Sequence, residues 1–132
     1  MKTLVVEDES ICRELLKDVM SGYGTTHEAM NGVEAVDKFQ EALFRQEPYD
    51  LICLDIMMPE LGGQETLTKI REIEVSTGIA AADRVKVVMI TALADSGNIV
   101  DAYGRGACNA YLTKPVTTGV LQGQLRELGL LA

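Results

Sequence analysis

The chain has 132 residues, enough for one domain to bury a core without metal or disulfide staples, and its 20 Asp and Glu against 12 Lys and Arg give a formal charge of -8. That acidic balance, with no basic cluster, excludes the electrostatic footprint of direct nucleic-acid binding and points to protein partners or a cation. Cys12, Cys53 and Cys108 lack CxxC spacing and His27 stands alone, so a structural zinc site has no ligand set; with no apolar run of membrane-span length, a cytoplasmic protein is expected.

Thr3 to Val6 predicts a short strand that ends on Glu7, Asp8 and Glu9. Ser10 is expected to cap a first helix with Ile11, Leu15 and Val19 on its apolar face and Leu16 and Met20 beside them, ended by Gly22 and Gly24. Thr25 to Ala29 predicts a brief second strand. Asn31 with Glu34 resembles a capping box, and Val33, Val36, Phe39 and Leu43 are the expected buried stripe of a second helix. After Pro48, Leu51, Ile52, Cys53 and Leu54 form a continuous apolar run, as suits a strand covered on both faces of a parallel sheet. The run stops at Asp55.

Gly62 and Gly63 let the backbone turn into a third helix that buries Leu67, Ile70 and Ile73. The stretch from 75 to 84 predicts either an extension of that helix or a separate surface feature. Val85 to Ile90, mostly β-branched, is the fourth strand and ends at Thr91. A short fourth helix is expected around Asn98 to Tyr103, before Gly104 and Gly106. Ala110 to Thr113 predicts a fifth strand ending at Lys114 and Pro115. Val120, Leu121, Leu125 and Leu128 mark a last helix, weakened by Gly119 and Gly123.

Strand and helix alternate throughout, which predicts an α/β fold: one domain over residues 1–132, a doubly wound five-stranded parallel sheet flanked by five helices, flavodoxin-like. In such a sheet the carboxyl ends of the strands share one edge, where ligands bind. That edge collects Glu7 and Asp8, then Asp55, Thr91 and Lys114. Carboxylates crowded there repel by roughly 4 kcal/mol per pair at about 4 Å and an effective dielectric near 20. A hard divalent cation offsets this with oxygen ligands alone, so Asp8 and Asp55 are expected to hold Mg²⁺, with Glu7 bound directly or through water. Lys114 offers a point charge, and Thr91 a hydroxyl, to phosphoryl oxygens. An ionised Asp55 can then attack phosphorus and form an aspartyl phosphate.

Four segments occur in order at these strand ends: Val-Glu-Asp-Glu at 6 to 9, Leu-Asp-Ile-Met-Met-Pro at 54 to 59, Ile-Thr-Ala at 90 to 92, and Tyr-Leu-Thr-Lys-Pro at 111 to 115. Together they resemble the receiver domain of two-component response regulators, particularly the stand-alone chemotaxis type, over essentially the whole chain. The resemblance implies that Asp55 is the phosphoacceptor, and that Glu7, Asp8, Asp55 and the backbone carbonyl of Met57 form the Mg²⁺ site. It implies Thr91, Ala92 and Lys114 around the phosphate, Tyr111 as the switch aromatic, and a cis bond before Pro115.

The resemblance also implies partners. They are a sensor histidine kinase or histidine phosphotransfer protein, and a downstream target on the face of the fourth helix, fifth strand and fifth helix. No membrane or nucleic acid is involved, the protein is a monomer or weak homodimer, and its only chemistry is its own phosphorylation and dephosphorylation. A phosphoryl group on Asp55 draws the Thr91 hydroxyl inward and lets Tyr111 rotate. Met57 and Leu93, bulky beside the phosphoryl position, predict slow attack by water. The competing reading is a phosphohydrolase of the haloacid-dehalogenase type, which wants a second acid where Met57 stands. A flavodoxin-type cofactor carrier needs a phosphate loop where Glu7, Asp8 and Glu9 repel phosphate.

Overall fold

The computed structural model describes residues 1–58, 60–92 and 108–131, with Thr91 described by its backbone. Strands β1 (Thr3–Val6), β2 (Thr26–Ala29), β3 (Leu51–Asp55), β4 (Lys86–Thr91) and β5 (Ala110–Thr113) form one parallel sheet in the order β2-β1-β3-β4-β5. Helices α1 (Ser10–Ser21), α2 (Gly32–Phe44), α3 (Gly63–Ser76) and the C-terminal α4 (Thr118–Glu127) are the helices of the described residues, beside one short 3₁₀ turn. The helix expected around Asn98 to Tyr103 lies outside them, as do Leu93, Gly104 and Gly106. No helix among the described residues is long and apolar enough to cross a membrane.

Both faces of the sheet are covered, which is why β1 and β3 are apolar without alternation and buried along their whole length. Successive side chains leave a strand on opposite faces. Leu4, Ile52 and Leu54 accordingly pack with Phe39 of α2 and Ile70 of α3. Val5 and Cys53 pack on the other face with Leu16 of α1 and Leu121 of α4. Each fully buried Leu, Ile or Phe side chain contributes about 1.5–3 kcal/mol. The chain reverses its direction of growth between β1 and β3, so the crevice of the fold opens at the carboxyl ends of those two strands.

Several helix faces differ from the expected ones. On α1 the buried residues are Leu16 and Met20, whereas Ile11 and Leu15 are 79% and 45% exposed. Stripes at 11/15 and at 12/16/20 have the same helical spacing, and the placement of the helix on the sheet decides between them. On α2, Val33 is exposed while Ala35, Phe39 and Ala42 face the core. Val120 is likewise exposed on α4, where Leu121 and Leu125 are buried.

The cap of α1 is Glu9 rather than Ser10: its two carboxylate oxygens accept from the N–H groups of Ile11 at 3.1 Å and Cys12 at 3.0 Å. The acid serves two orphan donors at once and sits at the favourable end of the helix dipole. The capping role of Asn31 holds, its side chain accepting from the Glu34 N–H at 2.9 Å. The stretch from 75 to 84 is divided between the two expectations: α3 runs on through Val75 to Ser76, then Gly78 turns at φ +74, and Ala81–Asp83 form a separate 3₁₀ turn. Gly119 and Gly123 do not break α4, because burial of Leu121 and Leu125 outweighs their low propensity.

Gly63 has a structural reason that its flexibility does not convey. A Cβ there would lie 2.3 Å from the carbonyl oxygen of Asp55 and 2.6 Å from the Ile56 Cα. Only glycine lets the start of α3 press against the end of β3, which fixes where Asp55 stands.

Candidate functional site

Val6 is in register with Leu54, so the residues that follow β1 lie beside the end of β3. The carboxylate oxygens of Glu7, Asp8 and Asp55 thereby come within 4.8 Å of one another. Lys114 follows β5, reaches past the end of β4, and places Nζ 2.8 Å from Glu7 Oε1 and 3.6 Å from Asp55 Oδ2. Four charged groups from three distant segments therefore meet at one rim.

The backbone holds this rim in place. Ile56 N–H donates to the Ile90 carbonyl at 3.0 Å, and Gly63 N–H donates to the Ile56 carbonyl at 2.9 Å. The Met57 N–H donates to Asp55 Oδ1 at 3.3 Å. Arg13, one turn into α1, donates to the Glu7 carbonyl at 3.0 Å and lies 3.5 Å from Glu28. Sequence reading did not single out Arg13; its only signal is a cation shortly after an acidic cluster.

Glu7 is wholly buried and Asp55 nearly so, whereas Asp8 opens to solvent. Neither Glu7 oxygen accepts a hydrogen bond of good geometry, although Asp55, Lys114 and Cys12 surround the group. Burial opposes charge on Glu7, but its contacts with Asp55, Lys114 and Cys12 prevail and hold its carboxyl down at about 2. Asp55 is pushed the other way, up to about 8, by burial and then by the Glu7 carboxylate that faces it. Burial works against the charged form of Lys114, yet Glu7 and Asp55 raise its pKa on balance.

Buried carboxylate oxygens without well-formed donors, joined by a solvent-facing acid, make an oxygen-only ligand set. That set fits a hard divalent cation such as Mg²⁺. A second group, Glu7, Glu9 and Cys12, is equally close together. There Glu9 is committed to capping α1, and burial, followed by Glu7, pushes the Cys12 thiol up to about 12.

Of the other residues singled out from sequence, Thr91 closes β4 opposite Thr113, and Ala92 follows it at the surface. Met57 is exposed. Tyr111 sits on β5 in register with Met89 and is 46% exposed. The Lys114–Pro115 peptide is cis.

The family profile described as the response regulator receiver domain matches residues 3–126. Chemotaxis protein CheY of Listeria monocytogenes is 35% identical over 117 residues, covering 87% of each chain. A co-crystal structure of the Saccharomyces cerevisiae histidine phosphotransfer signaling protein Ypd1 with the receiver domain of Ssk1 matches at 29% identity with a TM-score of 0.81, over 98% of this chain and 88% of the other. A response regulator receiver domain protein from Clostridium thermocellum matches at 27% identity with a TM-score of 0.77, over 96% of this chain and 91% of the other. Sheet order, acidic rim and sequence match agree along nearly the whole chain, and this protein belongs to the response regulator receiver domain family, the phosphorylated signalling modules of two-component systems.

Proposed function

We propose that Asp55 is the phosphoryl acceptor of this receiver and takes its phosphoryl group from the phosphohistidine of a histidine kinase or a histidine phosphotransfer protein. The observation that carries this reading is Lys114 Nζ standing 2.8 Å from Glu7 and 3.6 Å from Asp55, a cation set among acids that distant segments bring together. Such convergence is costly in a fold and is explained by chemistry at the rim. Glu7, Asp8 and Asp55, with the backbone carbonyl of Met57, would hold Mg²⁺, which when bound neutralises the acids and the oxygens of the phosphoryl group.

An Asp55 carboxylate oxygen attacks phosphorus in line as the bond from phosphorus to the donor nitrogen breaks, its electron pair leaving with the imidazole. Lys114 meets the developing charge on the transferred oxygens. The Thr91 hydroxyl and Ala92 N–H then bond a phosphoryl oxygen, and Tyr111, half-exposed on β5, rotates toward the space this vacates. The face around β5 and α4 carries the change to a downstream protein. The chain thus signals rather than turns over a substrate, and Met57, where a phosphohydrolase wants a second acid, supports the same reading.

Ile11 and Leu15, spaced i, i+4 on α1 and exposed just after the acidic segment, supply an apolar docking patch for the phosphodonor. The related receiver bound to a histidine phosphotransfer protein supports that partner class. The free thiols of Cys12, Cys53 and Cys108 suit the reducing cytoplasm in which we place the chain. Lys114→Ala is expected to slow labelling by an acyl phosphate by about 10²–10³-fold, and chelation of divalent cations to stop labelling of the unsubstituted chain. Intact mass followed over time reads both. Undiminished labelling in either case removes the assignment.

A further inference from the structure

α2 leaves the carboxyl edge of the sheet and runs back toward its amino edge, so its last turn lies at the opposite end from Asp55. There a hollow of about 490 Å³ opens beside α3, lined by Gln40, Leu43 and Phe44 on one side and Ile73, Thr77 and Ile79 on the other. A second hollow of about 410 Å³ continues it along the same helix pair, past Val36, Lys69 and Glu72. The positions 36, 40, 43 and 44 form the stripe of α2 that faces α3. The groove between them is therefore continuous and apolar at its floor.

Phe44 is 90% exposed, more than any other large apolar side chain among the described residues. An apolar knob standing beside an apolar hollow on one face is self-complementary, because a two-fold axis through the groove seats each knob in the hollow of the other copy. Charge favours the same occupant. A net charge of -8 makes copies repel over most of their surface, but the residues lining this groove include one cation and one acid and carry no net charge. Lys69 and Glu72 on its rim, one of each sign, have no ion-pair partner among the described residues. Opposite signs on one rim let a second copy approach this face without net repulsion, with Lys69 of one copy free to pair with Glu72 of the other.

We propose that the groove between α2 and α3 is a homodimer interface, with Phe44 of each copy seated against Leu43, Ile73 and Ile79 of the other. Ten residues line the two hollows, against roughly 20–30 per side in a standard interface, so the dimer is weak and forms with rising concentration. It leaves the acidic rim of both copies open to a phosphodonor. It does not depend on the role proposed for Asp55.

Sedimentation equilibrium across roughly 10 µM to 1 mM tests this, the range in which small interfaces associate. The weight-average mass of the unsubstituted chain is expected to climb from monomer toward twice that value. Phe44→Asp is expected to remain at the monomer mass throughout, with thermal unfolding only slightly lowered, since the side chain is exposed but an acid in the last turn of α2 opposes the helix dipole, and with unchanged labelling by an acyl phosphate. An unsubstituted chain that stays monomeric over the whole range overturns the proposal, and so does a Phe44→Asp chain that associates as strongly as its parent.

Discussion

Asp55→Asn is expected to take up no phosphoryl group from an acyl phosphate, a loss of more than about 10³-fold, and at the same time to be the more stable chain above pH 8 when divalent cations are removed. The first effect follows from replacing the nucleophilic carboxylate by an amide. The second follows from linkage. In the folded chain Asp55 keeps its proton up to about pH 8, because it is buried beside Glu7, whereas in the unfolded chain it releases the proton near its ordinary value of 3.8. Between those values the native state binds more protons than the unfolded state, so stability falls as pH rises through the window.

Asn carries no such proton, and that part of the slope should vanish. Glu7 acts in the opposite sense: its contribution is present above its ordinary 4.5 and is lost as pH falls toward about 2, below the range compared. Above pH 8 the gain from Asp55→Asn is expected to be on the order of 2 kcal/mol, since one of two facing buried charges is gone. Denaturant unfolding of both chains in chelator at pH 6 and pH 9 measures it. Parallel pH dependence in the two chains would show that Asp55 does not titrate against Glu7.

The second large effect is on folding. Glu74→Ala is expected to lower the unfolding free energy by about 3–5 kcal/mol, because it breaks a buried ion pair and leaves a backbone donor orphaned. Glu74 is 1% exposed on α3. One of its oxygens lies 2.6 Å from Arg71 Nη1, and the other accepts from the Val85 N–H at 2.8 Å. Arg71 also donates to the Val85 carbonyl at 2.9 Å and to Asn109 Oδ1 at 3.1 Å. Asn109 in turn accepts from the Val87 N–H at 2.8 Å and donates its own N–H to the Val87 carbonyl at 2.9 Å. The network ties α3 to the starts of β4 and β5.

Glu74→Gln keeps an acceptor for Val85 but turns an amide toward Arg71, so a smaller cost of about 1–2 kcal/mol is expected. Urea unfolding distinguishes the two variants. A Glu74→Ala chain within 1 kcal/mol of its parent would mean that the network is not a tertiary tie. Labelling of Asp55 should survive in both variants below the unfolding midpoint, because the network lies at the amino edge of the sheet.

Glu74 shows where sequence reading stops. An acid in a helix reads as a solvated residue, and its partners at Val85 and Asn109 become neighbours only once the sheet is assembled. Arg13 is similar, since nothing local says that its guanidinium will hold the carbonyl of Glu7. The strands were legible for the opposite reason: two-sided burial writes continuous apolar runs at Leu4–Val6 and Leu51–Leu54 that no other element explains as well. Alternating strands and helices imply one shared carboxyl edge, and the observed order β2-β1-β3-β4-β5 then sets Glu7 and Asp8 beside Asp55 there, within reach of Lys114. Helix faces were less legible, because Ile11 and Leu15 carry the same period as Leu16 and Met20, and because Ala35 and Ala42 fill the core without a strong apolar signature.

The most direct test of Asp55 as acceptor is chemical. Borohydride reduces an acyl phosphate to the alcohol, so a phosphorylated aspartate becomes homoserine, which peptide mass mapping can place. After treatment with an acyl phosphate and Mg²⁺, homoserine is expected at position 55 and nowhere else. Homoserine at position 8 or at any other aspartate, or none in a chain whose intact mass shows one phosphoryl group, would contradict the assignment.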